Sequence, residues 1–424
     1  AGLGWDGLGW AATATAAATA TATQRHALPQ TAHTLETNLV QATRHARTSS
    51  TLDEISTMSA RFSQSRANTI EPLVPPCGRR RLRSCISLLA ALALLLGAPG
   101  AAVAAERPAS ESAAELAARL PLWPGPAPGS TAGPDQPRLV ERSDDPALPD
   151  RALSGRYQPY LVVYRPKHPN GSALLVAPGG GYARVVLDKE GTALVPIFAE
   201  QAGITLFVLR YRLPDAATDG AAARDQPLAD AQRALRLIRA HAAEYGVDPQ
   251  RIGAIGFSAG GHVAASLGTR YDDAVYPARD AIDRVSARPD FLLLLYPVID
   301  MGSGTAAHTG SRLRLLGRHP DAATMAAYSL QNRVHAGMPP TFLVHAQDDT
   351  VVPEENSLLF YQALRQAGVP AELHLFAHGG HGFGTRGIAG LPLAAWPQLA
   401  LGWMRNVQDD PRARAPIAPP ASTP

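Results

Sequence analysis

The chain has 424 residues, 46% of them hydrophobic, with 39 Lys/Arg against 36 Asp/Glu for a formal net charge of +3. That much apolar material supplies one large core, and length alone permits two or three domains. Residues 1–105 hold nine of the basic and five of the acidic side chains, so the remainder carries 30 and 31, a net of −1, and no basic surface for nucleic acid is implied.

The first fifty-odd residues begin without Met, include an Ala-Thr run from Ala11 to Thr23 and show no helical or strand periodicity. Everything over 1–78 reads as disordered or as lying upstream of the true start. Arg79, Arg80, Arg81 and Arg83 then precede an apolar run from Ile86 to Leu96, followed by Gly97-Ala98-Pro99-Gly100 and the small residues Ala102 to Ala105. This is the three-part plan of a secretory signal peptide over 79–105, cut near Ala104 or Ala105, and it directs the protein to the periplasm or the exterior. A membrane span competes with that reading, but the run is shorter than the roughly 20 residues a bilayer requires. No stable span is therefore expected after cleavage. Both cysteines, Cys77 and Cys85, fall in the part to be removed, which leaves no disulfide, no thiol nucleophile and no cysteine metal site.

Residues 106–150, rich in Pro, Ala and Gly, are expected to form an extended arm laid over a catalytic domain spanning 151–408. Short apolar runs mark strands at Tyr160–Tyr164, Ser172–Ala177, Ile204–Tyr211, Arg251–Phe257, Phe291–Ile299, Thr341–Ala346 and Ala371–Phe376, nearly continuous as in a sheet covered on both faces. Between them, Leu228, Ala231, Leu235, Ile238, Ala242 and Tyr245 step along one helix face before Gly246, and a second helix runs from Asn356 to Ala367. The alternation predicts an α/β fold with helices on both faces of the sheet. Met301 to Pro340 reads either as a small cap over the C-terminal edge of the sheet or as a long connection. The tail over 409–424 is expected to be disordered.

Ser258, in Gly256-Phe257-Ser258-Ala259-Gly260, stands where a strand turns into a helix. A nucleophile on so tight a turn needs small neighbours on both sides, and the helix start pushes its hydroxyl clear of the backbone. Acyl transfer also needs a base for that hydroxyl and donors for the oxyanion. Pro178-Gly179-Gly180-Gly181-Tyr182 follows an earlier strand, and the amides of Gly180, Gly181 and Ala259 are the candidate oxyanion hole; a flexible or phosphate-binding loop is the bland alternative. After Ser258 an acid and then a histidine are required at the ends of later strands. Asp349, followed by Val352-Pro353, is preferred to Asp348, and His381, between Gly380 and Gly382, to His378. His262, on the helix after the serine, reads as a supporting hydrogen-bonding residue. Glu190 and Arg184 could touch a sugar, though an ion pair or helix-start carboxylate is the plainer reading. Asp230 is expected to pair with an arginine, and Tyr182 either lines a substrate pocket or simply packs. No His-Glu-x-x-His spacing occurs, so no metal and no cofactor is expected.

Together with Lys189-Glu190-Gly191, Tyr211-Arg212-Leu213 and the Gly379-Gly380-His381-Gly382-Phe383-Gly384 ending, these motifs resemble the acetyl-esterase and acetylxylan-esterase-like branch of the α/β-hydrolases, related to the hormone-sensitive-lipase group. The resemblance covers roughly residues 150–405. It implies the α/β-hydrolase fold, a triad of Ser258, Asp349 and His381, and hydrolysis of short acyl groups, often acetyl, from carbohydrate or small-molecule esters. Pro178 stands where the lipase group usually has His before its three glycines, so lipase specificity does not carry over. A prolyl-oligopeptidase-like serine peptidase and a catalytically silent binding protein of the same fold are the alternative functions.

Overall fold

In the computed structural model, which describes residues 106–130, 133–214 and 221–411, the chain opens on β1 (Arg107–Pro108), α1 (Ala113–Ala117), β2 (Arg119–Pro121), β3 (Gln136–Glu141) and β4 (Arg151–Arg156). There follow β5 (Tyr160–Tyr164), β6 (Ala173–Ala177), β7 (Val185–Val186), a π-helical turn at Val195–Gln201, and β8 (Thr205–Arg210). Next come α2 (Gln226–Ala240), β9 (Ile252–Phe257), α3 (Ser258–Thr269), β10 (Leu292–Leu295), α4 (Thr309–Leu316) and α5 (Ala322–Tyr328). The order closes with β11 (Thr341–Ala346), α6 (Glu355–Gln366), β12 (Ala371–Phe376) and α7 (Trp396–Asp409). The expected export signal, both cysteines and residues 412–424 lie outside the described residues.

Among the described residues, eight strands form the main sheet in the order β12-β11-β10-β9-β6-β8-β5-β2. The six from β12 to β8 run parallel, and β5 and β2 complete the far edge in antiparallel pairing. Successive side chains on a strand point to opposite faces, so each strand feeds two cores. Leu175, Ala177, Phe207 and Leu209 join one face with Leu235 and Ile238 of α2, Val263 and Leu267 of α3, and Phe360 of α6. Leu174, Val176, Leu206, Val208 and Phe257 join the other with Phe198, Trp396 and Met404. Burying such a side chain contributes roughly 1.5–3 kcal/mol, which is why these runs are apolar end to end. This is the α/β-hydrolase fold that the resemblance implies, built on the α/β alternation that the strand pattern predicts. Among the described residues no helix is long and apolar enough to cross a membrane.

Several local expectations need correction. Residues 106–150 are more than an extended arm: β2 adds an edge strand to the main sheet, while β1 and β3 join β4 and β7 in a second, antiparallel sheet. Pro- and Gly-rich composition hid these strands, which are defined by their pairing: β3 with the next strand β4, β1 with β3 and β2 with β5 across longer stretches of chain. The run Phe291–Ile299 forms a strand only over Leu292–Leu295, since Tyr296 turns to φ 37° and Pro297 supplies no amide for the ladder. The long helix ends at Ala240 and tightens to a 3₁₀ turn over Ala242–Tyr245. Met301 to Pro340 contains the short helices α4 and α5.

Chain order places the site. From β6 the chain passes to β8 on one side, then crosses back to β9 on the other, so the segments leaving the C-terminal ends of β6 and β9 diverge. Ligands of open α/β sheets bind in the crevice at such a switch point. Ala177 pairs with Gly256 in register, which sets the glycine loop after β6 beside the turn after β9.

Candidate active site

Ser258 is the first residue of α3 and holds φ 52°, a left-handed conformation that L-residues adopt only at a cost. Gly260 permits the turn, because a Cβ there would collide with the carbonyl oxygens of Ala177 and Pro178. The Ser258 side chain is thereby lifted off the strand end toward the loop after β12.

His381 meets it there. Ser258 Oγ lies 2.9 Å from His381 Nε2, and His381 Nδ1 lies 2.7 Å from Asp349 Oδ2. The carboxylate can only accept, so Nδ1 carries the proton and Nε2 accepts from the serine hydroxyl. Asp349 Oδ1 takes the amides of Val351 and Val352, both at 2.9 Å. Burial works against its ionisation, but hydrogen bonds from His345, His381 and Val352 hold the carboxyl well below the usual carboxylate range. Of the competing residues, Asp348 instead accepts the amides of Gly379 and Gly380, shaping the loop, and His378 is largely exposed beside it.

The glycine loop is held open from behind. Gly180 has φ 129°, and a Cβ there would strike the Arg184 carbonyl, whose own amide turns back to Gly180 O. Val186 returns an amide to Gly179 O, and β7 then pairs with β4, so the second sheet anchors the loop's exit. Among the described residues, the amides of Gly180 and Gly181 have no backbone acceptor. The amide of Ala259 belongs to the first turn of α3, whose N–H groups lack helical partners. A serine with a base in line and free amides nearby can attack a carbonyl and stabilise the resulting oxyanion.

The family model described as BD-FAE matches residues 161–364. Endo-1,4-beta-xylanase B of Butyrivibrio fibrisolvens is 38% identical over 209 residues, 49% of this chain and 32% of that protein. Acetylxylan esterase of Xylanibacter ruminicola is 33% identical over 236 residues, 55% of this chain and 45% of that protein. The chain thus spans less than half the length of these curated relatives. The crystal structure of an acetyl ester-xyloside bifunctional hydrolase from Caldicellulosiruptor lactoaceticus is 37% identical, with a TM-score of 0.55, over 68% of this chain and 96% of that one. The chain belongs to the acetylxylan-esterase-like α/β-hydrolases.

In this α/β-hydrolase, Glu190 departs from expectation. It forms neither an ion pair nor a helix-start contact: it is buried, and accepts the Gly179 amide at 2.8 Å on one oxygen and the Tyr296 hydroxyl at 3.0 Å on the other. Burial pushes its carboxyl up, against the pull of the Gly179 amide and of His381. Tyr296 in turn receives the Gly384 amide at 3.0 Å and sets its ring edge-on to His381 at 5.0 Å. The glycine loop and the histidine loop therefore share one buried support. Tyr296 gave no sign of this in the sequence, where it lies inside the apolar run Phe291–Ile299.

Arg184 does form the expected ion pair, with Glu106, and Asp230 pairs with Arg212 of the Tyr-Arg-Leu motif at 2.7 Å. Tyr182 packs: it is buried at φ 59° and its hydroxyl donates a hydrogen bond to His262 Nδ1 at 2.7 Å. His262 Nε2 donates to the Tyr328 carbonyl at 2.9 Å, so this histidine ties α3 to the glycine loop and to α5. Burial draws it down to about 4. Among the described residues no three His, Cys, Asp or Glu side chains gather in a way that could hold a metal ion.

Proposed function

We propose that this protein is a serine carboxylic ester hydrolase that removes short acyl groups, acetyl foremost, from carbohydrate or small-molecule esters. One observation carries the reading: the unbroken hydrogen-bonded line from Ser258 through His381 to Asp349, beside the amides of Gly180, Gly181 and Ala259. His381 takes the Ser258 proton as the hydroxyl adds to the ester carbonyl, and Asp349 holds the imidazole in the tautomer this requires. The amides stabilise the oxyanion. Collapse of the tetrahedral species releases the alcohol, which leaves with the proton from His381, and water repeats the sequence on the acyl-enzyme.

The acetyl preference draws on the acetylxylan esterase among the relatives, and the export signal read over 79–105 assigns the enzyme to the periplasm or the exterior. A chain-length series of nitrophenyl esters run beside acetylated xylan, with Ser258→Ala as blank, tests both chemistry and acyl preference. Greatest activity on acetyl esters, lost in Ser258→Ala, is the expected result. A maximum at long acyl chains would sink the acetyl preference, and full activity in Ser258→Ala the mechanism.

A further inference from the structure

The segment between β10 and β11 brings a second histidine to the site. His308 caps the N-terminus of α4, and its Nδ1 accepts the Ser311 amide at 3.2 Å and lies 2.8 Å from Ser311 Oγ. An amide can only donate, so Nδ1 is the acceptor and the neutral ring carries its proton on Nε2. The tautomer is fixed by the helix cap. The position a Cβ would take on Gly181 lies 3.9 Å from His308 Cε1, so the edge of the ring bearing Cε1 borders the glycine loop. The side chain is only half-buried, which leaves it open to a ligand. Burial and the nearby His381 draw its basicity down, with Asp349 pulling the other way, and the ring is neutral at pH 7.

A half-exposed N–H donor beside the glycine loop is free to meet an acceptor on a bound substrate. An acetyl methyl offers none. The carbonyl oxygen is already served by the amides of Gly180, Gly181 and Ala259, so the alcohol portion is what remains. We propose that His308 is a specificity-determining residue that donates Nε2–H to a hydroxyl or ether oxygen on the alcohol side of the ester, favouring sugar esters over esters of alcohols without such groups. The inference rests on the esterase reading and deepens it by naming the group that recognises the carbohydrate.

The test compares kcat/KM of the full chain on a monoacetylated methyl xyloside and on nitrophenyl acetate, for wild type, His308→Ala and His308→Gln, with Ser258→Ala as blank. His308→Ala is expected to lower kcat/KM on the xyloside about tenfold, the worth of one hydrogen bond, and to leave nitrophenyl acetate within about twofold. The ratio of the two values does not depend on the fraction of protein folded, so a poorly folding alanine variant still reports. His308→Gln retains an N–H donor and keeps the ratio closer to wild type than His308→Ala does. An unchanged ratio in His308→Ala, or a glutamine ratio as low as the alanine one, overturns the proposal while the esterase reading stands. Wild-type protein inert toward both esters overturns the esterase reading, and this inference with it.

Discussion

His345 Nε2 stands 3.3 Å from Asp349 Oδ2, on the oxygen that also faces His381. The ring is fully buried, and its tautomer follows from its hydrogen-bond partners. The Val352 carbonyl, 2.9 Å from Nε2, can only accept, so Nε2 carries the proton and leans toward both oxygens, while Nδ1 accepts from Ser357 at 2.7 Å. Asp349 Oδ2 is thus held by a second imidazole besides that of His381. Replacing His345 by Phe removes a donor to a charged group, worth roughly 1.5–3 kcal/mol. The expected result is a kcat on nitrophenyl acetate about ten- to a hundredfold lower, with a lower melting temperature. Unchanged kcat in a folded variant would show that the grip is idle.

The two neighbouring aspartates should separate cleanly. Asp349→Asn lets His381 settle in the wrong tautomer, and a kcat loss of about 10⁴ is expected by analogy with other such triads. Asp348→Asn weakens only the acceptor for the Gly379 and Gly380 amides and should cost less than about tenfold. Steady-state rates of both variants on one ester decide the assignment; equal losses would refute it.

Glu190→Ala strips the acceptor from the Gly179 amide and from Tyr296 together. Because the buried partners are left unpaired at a cost of roughly 1–3 kcal/mol each, kcat should fall at least about tenfold. KM should move little, as the carboxyl lies behind the loop and not in the substrate's path. Glu190→Gln keeps an acceptor and should retain more activity. A change confined to KM would argue that Glu190 touches substrate after all.

Acid should unfold this protein in two stages. His262, held near 4 by burial, is neutral in the fold and titrates near 6.5 when unfolded, so its contribution is full above about 6.5 and is lost as the pH falls through 4. Glu115 is buried, which raises its carboxyl, yet hydrogen bonds from Arg151 and Ser112 hold it at about 2. Its contribution is full above the unfolded value near 4.5 and is lost on the way to 2. Urea melts from pH 7 to pH 2.5 measure the profile, and Glu115→Gln should flatten its lower limb alone. A stability independent of pH below 6 would contradict both assignments.

What the sequence disclosed was whatever is encoded locally. The turn at Ser258, the triple glycine and the loop around His381 each carry their own steric signature, and the buried strands announce themselves by continuous apolar residues. Residues whose work is done across the fold were silent. Tyr296 meets Glu190 at a separation of 106 residues, and His308 comes beside Gly181 from a distant part of the chain. Glu190 was misread because its carboxyl turns inward to the Gly179 amide and the Tyr296 hydroxyl, while Arg184 pairs with Glu106. Strands β1 to β4 escaped because pairing, rather than composition, makes them strands.

The loop bearing His381 is fastened late in the chain: Trp396 Nε1 of α7 donates to the Gly384 carbonyl at 2.7 Å, and His381 itself follows Ser258 by 123 residues. During biosynthesis Ser258 and the glycine loop therefore emerge well before His381, the base of the proposed mechanism. A chain that stops before His381 leaves Ser258 without its imidazole partner, so on the proposed mechanism ester cleavage would report that the chain is complete through the His381 loop.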